Sequence, residues 1–302
     1  MLLHSKKQIE IHSNIYKEVV EDLSFFHLLM ITYLKKQCPE WANDTYLEHD
    51  LILGDDSDSG ISCNLLDEIT SGFWKANYFY NFNNFYRIEK TGLPIVGVDM
   101  AFMKKVKTFD NHVSKRYSHS NYNPLSMNLN LYKGISAEKN YHRKYPFSTL
   151  MLIMSYYDIP LPKSEIGKEI ILAIDSAHKG HYASSDYYKG IHTNWLEELG
   201  FTSLIDVLNK RNRNYFKGVQ GEYGLNEKIF IGDAGYLKSN INLEAIQPHL
   251  NWKLSIPEQP FKLLRKWNGD QHEIGEKKLP DSKKLISLAY TGKDYVCYTY
   301  QE

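Results

Sequence analysis

The sequence predicts an α/β fold with a mostly parallel sheet, followed by a smaller α+β C-terminal region. Short apolar runs at residues 51–53, 93–98 and 106–109 are typical of buried strands. Segments with helical periodicity lie between and after these runs. The last segment, 284–300, alternates on both sides of a polar turn, which is typical of an antiparallel hairpin. Together these observations favour helices packed on a central sheet.

The length and composition set the expected domain organisation. The 302 residues suffice for one large domain or two modest ones. We expect one domain over 1–184 and a second, α+β domain over 190–302, because the composition changes near residue 185. Residues 187–190 are interpreted as the linker and 192–216 as helices. The 36 acidic and 36 basic residues cancel, so no global positive charge indicates nucleic-acid binding.

The cysteines and the hydropathy predict a cytoplasmic protein without a membrane partner. The cysteines, Cys38, Cys63 and Cys297, are odd in number, far apart and without the spacing of a zinc site. Such usage is typical of a reducing compartment. The first residues are polar rather than apolar, unlike a secretory signal. No run approaches the roughly 20 apolar residues that a membrane span needs.

The first predicted helix covers residues 13–37. Ser13 is a suitable cap, and apolar residues recur at near-helical spacing after it. Pro39 ends the pattern, because the residue before a proline disfavours the helical conformation. We expect the apolar stripe of this helix to pack on the sheet of the same chain.

An acidic turn follows the first predicted strand, residues 51–53. Gly54 breaks the strand, and Asp55, Asp56 and Asp58 come next, before small and apolar residues that are typical of a closely packed helix. Carboxylates this close repel one another, and a divalent cation is a common way to offset that repulsion. A plain surface turn rich in Asp and Ser is the alternative.

Further acidic residues occur where other short apolar runs end. Asp99 and Asp110 follow two predicted strands, His112 lies beside the second, and Asp175 ends the apolar run 169–174, which we interpret as a strand. An open α/β sheet places its ligand site at the carboxyl ends of its strands. We therefore expect these side chains to share a metal site, and their oxygen and imidazole ligands suit Mn²⁺ or Mg²⁺.

Four segments, in the right order, resemble the motifs of the DHH phosphoesterase superfamily. Residues 56–62, DSDSGIS, resemble its Asp-x-Asp-Gly-x-x-Ser motif, and Asp99 resembles its second motif. Residues 110–112, Asp-Asn-His, resemble the Asp-His-His motif that names the superfamily. Residues 175–177, Asp-Ser-Ala, resemble its Asp-[ST]-[GA] motif.

This resemblance implies a hydrolase that uses two Mn²⁺ or Mg²⁺ ions bridged by carboxylate. The superfamily contains single-strand exonucleases, oligoribonucleases, cyclic-dinucleotide phosphodiesterases and pyrophosphatases. The implied substrate is a phosphodiester of a nucleotide or of a short single-stranded nucleic acid. The expected metal ligands are Asp56, Asp58, Asp99, Asp110, His112 and Asp175. The expected catalytic residues are Asp58, His112, Arg143, Lys144 and His178.

The chain departs from the superfamily pattern at several positions. Ser59 stands where Gly is usual, and Asn111 stands where the first His, usually a metal ligand, is expected. The spacing between Asp99 and Asp110 is short for the helix that normally separates those strands. No Gly-Gly-Gly-His element, which would indicate the substrate, occurs in the C-terminal region.

Basic side chains near a predicted helix start suggest a phosphate contact. Arg143 and Lys144 precede Ser148, which can begin the apolar helix 150–157. A helix N-terminus beside cationic side chains favours anions. A solvated surface is the alternative for both basic residues. His178 follows the fourth motif, where it would be a metal ligand, an acid or a phosphate contact, or an ordinary polar residue.

The sequence also suggests functions other than hydrolysis. A non-catalytic module that binds a nucleotide or a protein on a degenerate DHH fold is the main alternative, and Asn111 favours it. A recombinase triad of Asp99, Asp175 and Asp233 is disfavoured, because the segment between the last two is helical in pattern. The aromatic segment 73–88 is interpreted as a strand and a loop rather than as a platform for bases. A homodimer is left open.

Overall fold

The computed structural model of the chain describes residues 29–302. Twelve strands occur within this range, and the bounds of each follow. The strands are β1 His49–Leu53, β2 Trp74–Tyr80, β3 Asn84–Arg87, β4 Ile95–Val98, β5 Lys107–Phe109, β6 Ser126–Met127, β7 Ile229–Ile231, β8 Leu237–Ser239, β9 Lys262–Lys266, β10 Asn268–Glu273, β11 Leu285–Gly292 and β12 Tyr295–Tyr300.

Helices and short 3₁₀ turns connect these strands. The helices of the described range are α1 Thr32–Lys35, α2 Ser57–Ile69, α3 Leu129–Tyr132, α4 Ala137–Asn140, α5 Thr149–Tyr156, α6 Glu165–Ala173, α7 Asp186–Leu199, α8 Leu204–Lys210, α9 Arg213–Glu222 and α10 Leu243–Ile246. None of them is long and apolar enough to cross a lipid bilayer. Most of the predicted helix over 13–37 lies outside the described residues.

The central sheet has seven strands in the described range, in the order β6-β5-β4-β1-β2-β3-β9. The first five of these are parallel, and β3 and β9 are antiparallel to their neighbours. Two smaller antiparallel sheets, β10-β12-β11 and β7-β8, lie beside it. A mixed α/β fold with a mostly parallel central sheet is thus confirmed.

The strand order places a crevice at the carboxyl ends of β1 and β4. The chain passes from β1 to β2 on one side and later returns to β4 on the other side of β1. The strand order therefore reverses at β1, and open parallel sheets bind their ligands at such a point. All five residues of β1 are buried, as the apolar run predicts.

Ser59 connects the ends of β1 and β4 at this crevice. Its Oγ accepts a hydrogen bond from the backbone N of Gly54 at 2.7 Å and donates one to the backbone O of Val98 at 2.7 Å. A Cβ atom at Gly54 would lie 3.0 Å from the Ser59 side chain, so the glycine permits this close approach. Ser59 thus has a structural use where the DHH pattern has Gly.

The parallel strands β4 and β5 are joined without a helix, in keeping with the short spacing between Asp99 and Asp110. Phe102 in the connection packs on Gly97, where a Cβ atom would lie 2.7 Å from the phenyl ring. Phe102 also forms a β-bridge with Ser287 of β11. The small residue in β4 and the neighbouring sheet therefore shape this compact crossover.

Two sequence predictions were wrong. The predicted strand 169–174 is the second half of helix α6 with a 3₁₀ turn, Ile174–Ser176, after it. A buried apolar run fits a buried helix as well as a strand, and Ser164 begins this helix by accepting a hydrogen bond from Gly167 N at 3.0 Å. The predicted linker 187–190 lies inside α7.

The division into domains 1–184 and 190–302 stays a prediction. The main hydrophobic core contains buried side chains from both segments, for example Leu152 and Ile171 from the first and Leu196 and Phe216 from the second. Strand β9 of the second segment also pairs with β3 in the central sheet. The two segments therefore share a core and a sheet.

Candidate functional site

The acidic motifs converge at the crevice beside β1 and β4. Asp56 precedes α2 and Asp58 lies in its first turn, whereas Asp99 directly follows β4. Asp175 lies in the 3₁₀ turn after α6. The charges of Asp56, Asp99 and Asp175 all raise the pKa of Asp58, which places the four carboxylates within electrostatic range of one another. The sequence predicted this group.

Asp58 caps the N-terminus of α5. Its Oδ2 accepts a hydrogen bond from Thr149 N at 2.7 Å, and its Oδ1 accepts one from Leu150 N at 2.9 Å. Burial, and then the neighbouring charges of Asp99 and Asp175, raise the pKa of Asp58 well above its ordinary value. Both carboxylate oxygens therefore already have backbone partners.

Asp99 is fixed by the same helix start. Its Oδ1 accepts a hydrogen bond from Thr149 Oγ1 at 2.7 Å, and its backbone is left-handed with φ +64°. Burial raises the pKa of Asp99 from 3.8 to about 8, and the charge of Asp56 adds to the effect. A left-handed non-glycine residue is uncommon, and such strain concentrates at functional sites.

Asp110 orients His112. Its Oδ1 accepts hydrogen bonds from His112 Nδ1 at 2.9 Å and from His112 N at 3.1 Å, while its Oδ2 accepts one from Asn128 Nδ2 at 2.6 Å. His112 Nδ1 lies 4.0 Å from Asp99 Oδ1. Burial alone would lower the pKa of His112, but the hydrogen bond to Asp110 and the charge of Asp99 outweigh it and raise the pKa to about 10.

Asn111 holds Asp175 in place. Asn111 Nδ2 donates to Asp175 Oδ2 at 2.9 Å and to the backbone O of Phe147 at 3.1 Å. Desolvation by the surrounding protein atoms raises the pKa of Asp175, although its side chain is exposed to water. The charges of His112 and Lys144 oppose that rise. Asn111, which stands where the DHH pattern has a histidine, thus contacts Asp175, an expected metal ligand.

The turn that carries Asp175 is held by a residue that the sequence did not indicate. Asp175 and Ser176 are both left-handed, with φ +48° and +58°. Gln220 of α9 donates through Nε2 to Ala173 O at 2.8 Å and to Ser176 Oγ at 3.1 Å. Gln220 therefore satisfies the end of α6 and supports the strained turn.

The three remaining predicted catalytic residues lie in different surroundings. Burial lowers the pKa of Lys144, and the charge of Asp175 opposes that effect. Lys144 therefore lies near the acidic group. Arg143 instead donates through Nε to Tyr187 Oη at 3.2 Å. His178 contacts Leu172 of α6 and Phe216 of α9.

His178 packs away from the carboxylates. Its Nδ1 donates to Leu172 O at 3.1 Å, and its ring stacks on Phe216 with 4.6 Å between centroids. Burial lowers its pKa to about 4, and the basic Lys179 lowers it further. The contacts of His178 are therefore those of a neutral core histidine.

Lys228 is a cation beside the acidic turn that the sequence did not indicate. Its Nζ donates to Asp55 Oδ1 at 2.9 Å, and the charges of Asp56 and Asp55 raise its pKa, although burial opposes them. The following residue, Ile229, donates its backbone N to Asp55 O at 2.8 Å. Lys228 lies 173 residues from Asp55 in sequence, so no local pattern could reveal the pair.

The chemistry of these donors fits a hard divalent cation. Asp56, Asp99 and Asp175 each keep one carboxylate oxygen without a hydrogen bond to residues 29–302. Both oxygens of Asp58 and of Asp110 are engaged. As the side chains stand, no group of three or more His, Cys, Asp or Glu in the described range is arranged to hold a metal. The predicted ligand set therefore stays a prediction.

A comparison of the chain with protein-family models, with curated proteins and with solved structures found no match in any of the three. The likeness to the DHH superfamily thus rests on the four motifs named above. The strand order, the converging carboxylates and the cations beside them are the observations from which a function can be proposed.

Proposed function

We propose that the chain is a divergent DHH-superfamily phosphoesterase that depends on a divalent metal. Its substrate is a phosphodiester of a nucleotide or of a short single-stranded nucleic acid. One observation carries the proposal: Asp56, Asp58, Asp99 and Asp175 meet at the carboxyl ends of β1 and β4, where the strand order reverses. Asp58 and Asp99 are buried, and carboxylates that raise one another's pKa values need a positive charge to be stable in the ionised form.

Mn²⁺ or Mg²⁺ supplies that charge best, because its preferred ligands are carboxylate oxygens. Asp56, Asp99 and Asp175 would hold the cation through the oxygens that have no hydrogen bond within the described range. When bound, such a cation acts as a Lewis acid and activates water for attack on phosphorus. Asn111 keeps Asp175 oriented through its amide.

Two cationic side chains of the chain itself suit an anionic substrate. In the metal-free chain the hydrogen bond to Asp110 and the charge of Asp99 raise the pKa of His112 to about 10, so the imidazole is cationic at neutral pH. It can therefore donate a hydrogen bond to a phosphate oxygen but cannot act as a general base at that pH. Lys144, on which the charge of Asp175 acts, is the second cationic side chain.

A non-catalytic nucleotide-binding module is the second candidate. Asn111 replaces a usual metal ligand and donates to Asp175, and no closed metal-ligating group exists within residues 29–302. On this view the crevice binds a nucleotide without hydrolysing it. The two candidates predict different results for the same assay.

The test is hydrolysis of bis-p-nitrophenyl phosphate with Mn²⁺, with Mg²⁺ and with EDTA. We expect metal-dependent release of nitrophenol by the wild type and a loss of about a hundredfold or more in Asp175→Asn. Asp233→Asn is the matched control, because Asp233 also follows a strand but has a fully exposed side chain. Its activity should equal that of the wild type.

The outcome that removes the hydrolase proposal is also defined. If neither metal supports release of nitrophenol or of product from short RNA, single-stranded DNA and cyclic dinucleotides, the chain is not this enzyme. Calorimetric binding of a nucleotide in that case would support the binding module. Equal activity of Asp175→Asn and wild type would instead move the reaction away from this crevice.

A further inference from the structure

A cleft of about 400 Å³ lies between α4, the 3₁₀ turn Tyr141–Arg143 and α7. We call it the Arg143 cleft and define it by six of its lining residues. They are Lys133, Asn140, Arg143, Tyr187, Asn194 and Trp195. A volume of this size is within the range of small-molecule sites.

The turn between the cleft and the crevice presents different residues to each. The charge of Asp175 acts on Lys144 and on Tyr141, whose pKa burial raises to about 12. Arg143 contacts Tyr187 on the cleft side instead. Trp195, almost fully buried, fixes the turn by donating through Nε1 to Arg143 O at 3.1 Å. The segment 141–144 therefore lies between the cleft and the acidic group.

Several groups that line the cleft suit a nucleotide. The terminal guanidinium nitrogens of Arg143 and the amide of Asn194 make no hydrogen bond within residues 29–302, so they can meet a phosphate and the edge of a base. Tyr187 is 51% exposed, which leaves an aromatic face for stacking. Lys133 is already paired with Glu198 at 2.5 Å. Arg143 is therefore the cation best placed for an anion there.

We propose that the Arg143 cleft binds the nucleotide next to the scissile phosphodiester. Arg143 contacts its phosphate and Tyr187 stacks on its base. This inference rests on the proposed function, and it narrows the substrate to a molecule with at least two nucleotides. It also separates the two predicted phosphate contacts, since Lys144 acts at the reacting phosphate and Arg143 at its neighbour.

Binding and kinetics test the inference separately. The binding probe is adenosine 5′-monophosphate, measured by calorimetry in EDTA, where no hydrolysis occurs. Arg143→Ala and Tyr187→Ala should each weaken binding by about tenfold. Lys139→Ala is the control, since Lys139 is an exposed cation on neighbouring α4 that does not line the cleft. It should bind the probe as the wild type does.

The kinetic probes are the 5′-phosphorylated dinucleotide pApA and bis-p-nitrophenyl phosphate. Arg143→Ala should lower kcat/KM for the dinucleotide about tenfold more than for the small ester, mainly through KM. Lys144→Ala should lower both to a similar extent. Circular dichroism melting of each variant verifies that the fold is retained.

The possible results separate this inference from the proposed function. Failure of the wild type to bind the monophosphate, or equal binding by all variants, overturns the inference even if the ester is hydrolysed. Binding that depends on Arg143 and Tyr187 without any hydrolysis keeps the nucleotide cleft and removes the hydrolase. An equal effect of Arg143→Ala on both substrates overturns the assignment of the neighbouring nucleotide.

Discussion

The carboxylate of Asp58 joins the acidic turn to α5, because its two oxygens accept the backbone N–H groups of Thr149 and Leu150. Ser148 caps the same helix by accepting a hydrogen bond from Met151 N at 3.2 Å. The first turn of α5 is therefore satisfied by two side chains. Asp58 has a structural use besides its predicted one as a metal ligand.

Replacement of Asp58 should therefore lower stability as well as activity. In Asp58→Ala two buried N–H groups lose their acceptor, and we expect the free energy of unfolding to fall by about 2–4 kcal/mol. The measurement is urea unfolding in EDTA at about pH 5. At this pH the raised pKa values of Asp58 and Asp99 favour their neutral forms, so the substitution relieves little charge repulsion. Asp67→Ala, an exposed acid on α2, is the control.

A stability of Asp58→Ala equal to that of the control would contradict the capping role. Activity alone cannot separate the two uses of Asp58, because a misplaced α5 would also displace Thr149 and Asp99. Asp175→Asn is the cleaner probe of chemistry, since Asp175 caps no helix.

Helix α6 was predicted as a strand, yet the acid that follows it lies where the sequence predicts. Asp175 lies with the other acids, as its position after an apolar run predicts, but the run is helical. The sequence resemblance depended on the order of the motifs and not on the type of element before them. The acids therefore converge as expected, although the element before Asp175 was predicted wrongly.

The position of Asp175 depends on the contact between α6 and α9. In Gln220→Ala the backbone O of Ala173 loses its partner and the left-handed turn at Asp175 and Ser176 loses its support. We expect a loss of about 1–3 kcal/mol in the free energy of unfolding and a fall in turnover. Urea unfolding and the phosphodiester assay measure the two effects.

Gln301→Ala, an exposed glutamine near the end of the chain, is the matched control for that experiment. The free energy of unfolding and the turnover of Gln301→Ala should both equal those of the wild type. If Gln220→Ala also matches the wild type in both, the turn that carries Asp175 is stable without α9.

Across the whole molecule, buried ionisable groups make stability depend on pH in an unusual direction. The pKa of Asp99 rises from 3.8 to about 8, so its contribution is complete below pH 3.8 and is lost as the pH rises through 8. The pKa of His112 rises from 6.5 to about 10, with loss in the same direction. Buried His178 and His192, with pKa values lowered to about 4, destabilise the fold only as the pH falls below 6.5.

The metal-free protein should therefore lose stability between about pH 7 and about pH 9. Each proton that the folded state holds and the unfolded state does not lowers the free energy of unfolding by about 1.4 kcal/mol per pH unit. Urea unfolding in EDTA at the two pH values measures the loss, and Asp99→Asn should reduce it. Mg²⁺ should restore stability at the higher pH, because a bound cation favours the ionised carboxylates. A flat profile without metal would contradict this account.

Much of the fold and the acidic part of the site could be predicted, because both depend on local patterns. Apolar runs indicated β1, β4 and β5, and the acids that follow them meet as expected. Lys228, Gln220 and Thr149 could not be assigned in this way, since their partners are remote in sequence. Tertiary packing decides such contacts, and no periodicity reports them.

The acidic turn also contacts a segment that lies much later in the chain. Ser57 Oγ donates to Leu225 O across 168 residues, and Lys228 reaches Asp55 across 173. A ribosome adds about 5–20 residues per second, so the partners of the turn emerge on the order of ten seconds or more after it. Throughout that interval the carboxylates lack the cation that later lies beside them. On the proposed function, a divalent cation would therefore meet the acidic turn before Lys228 does.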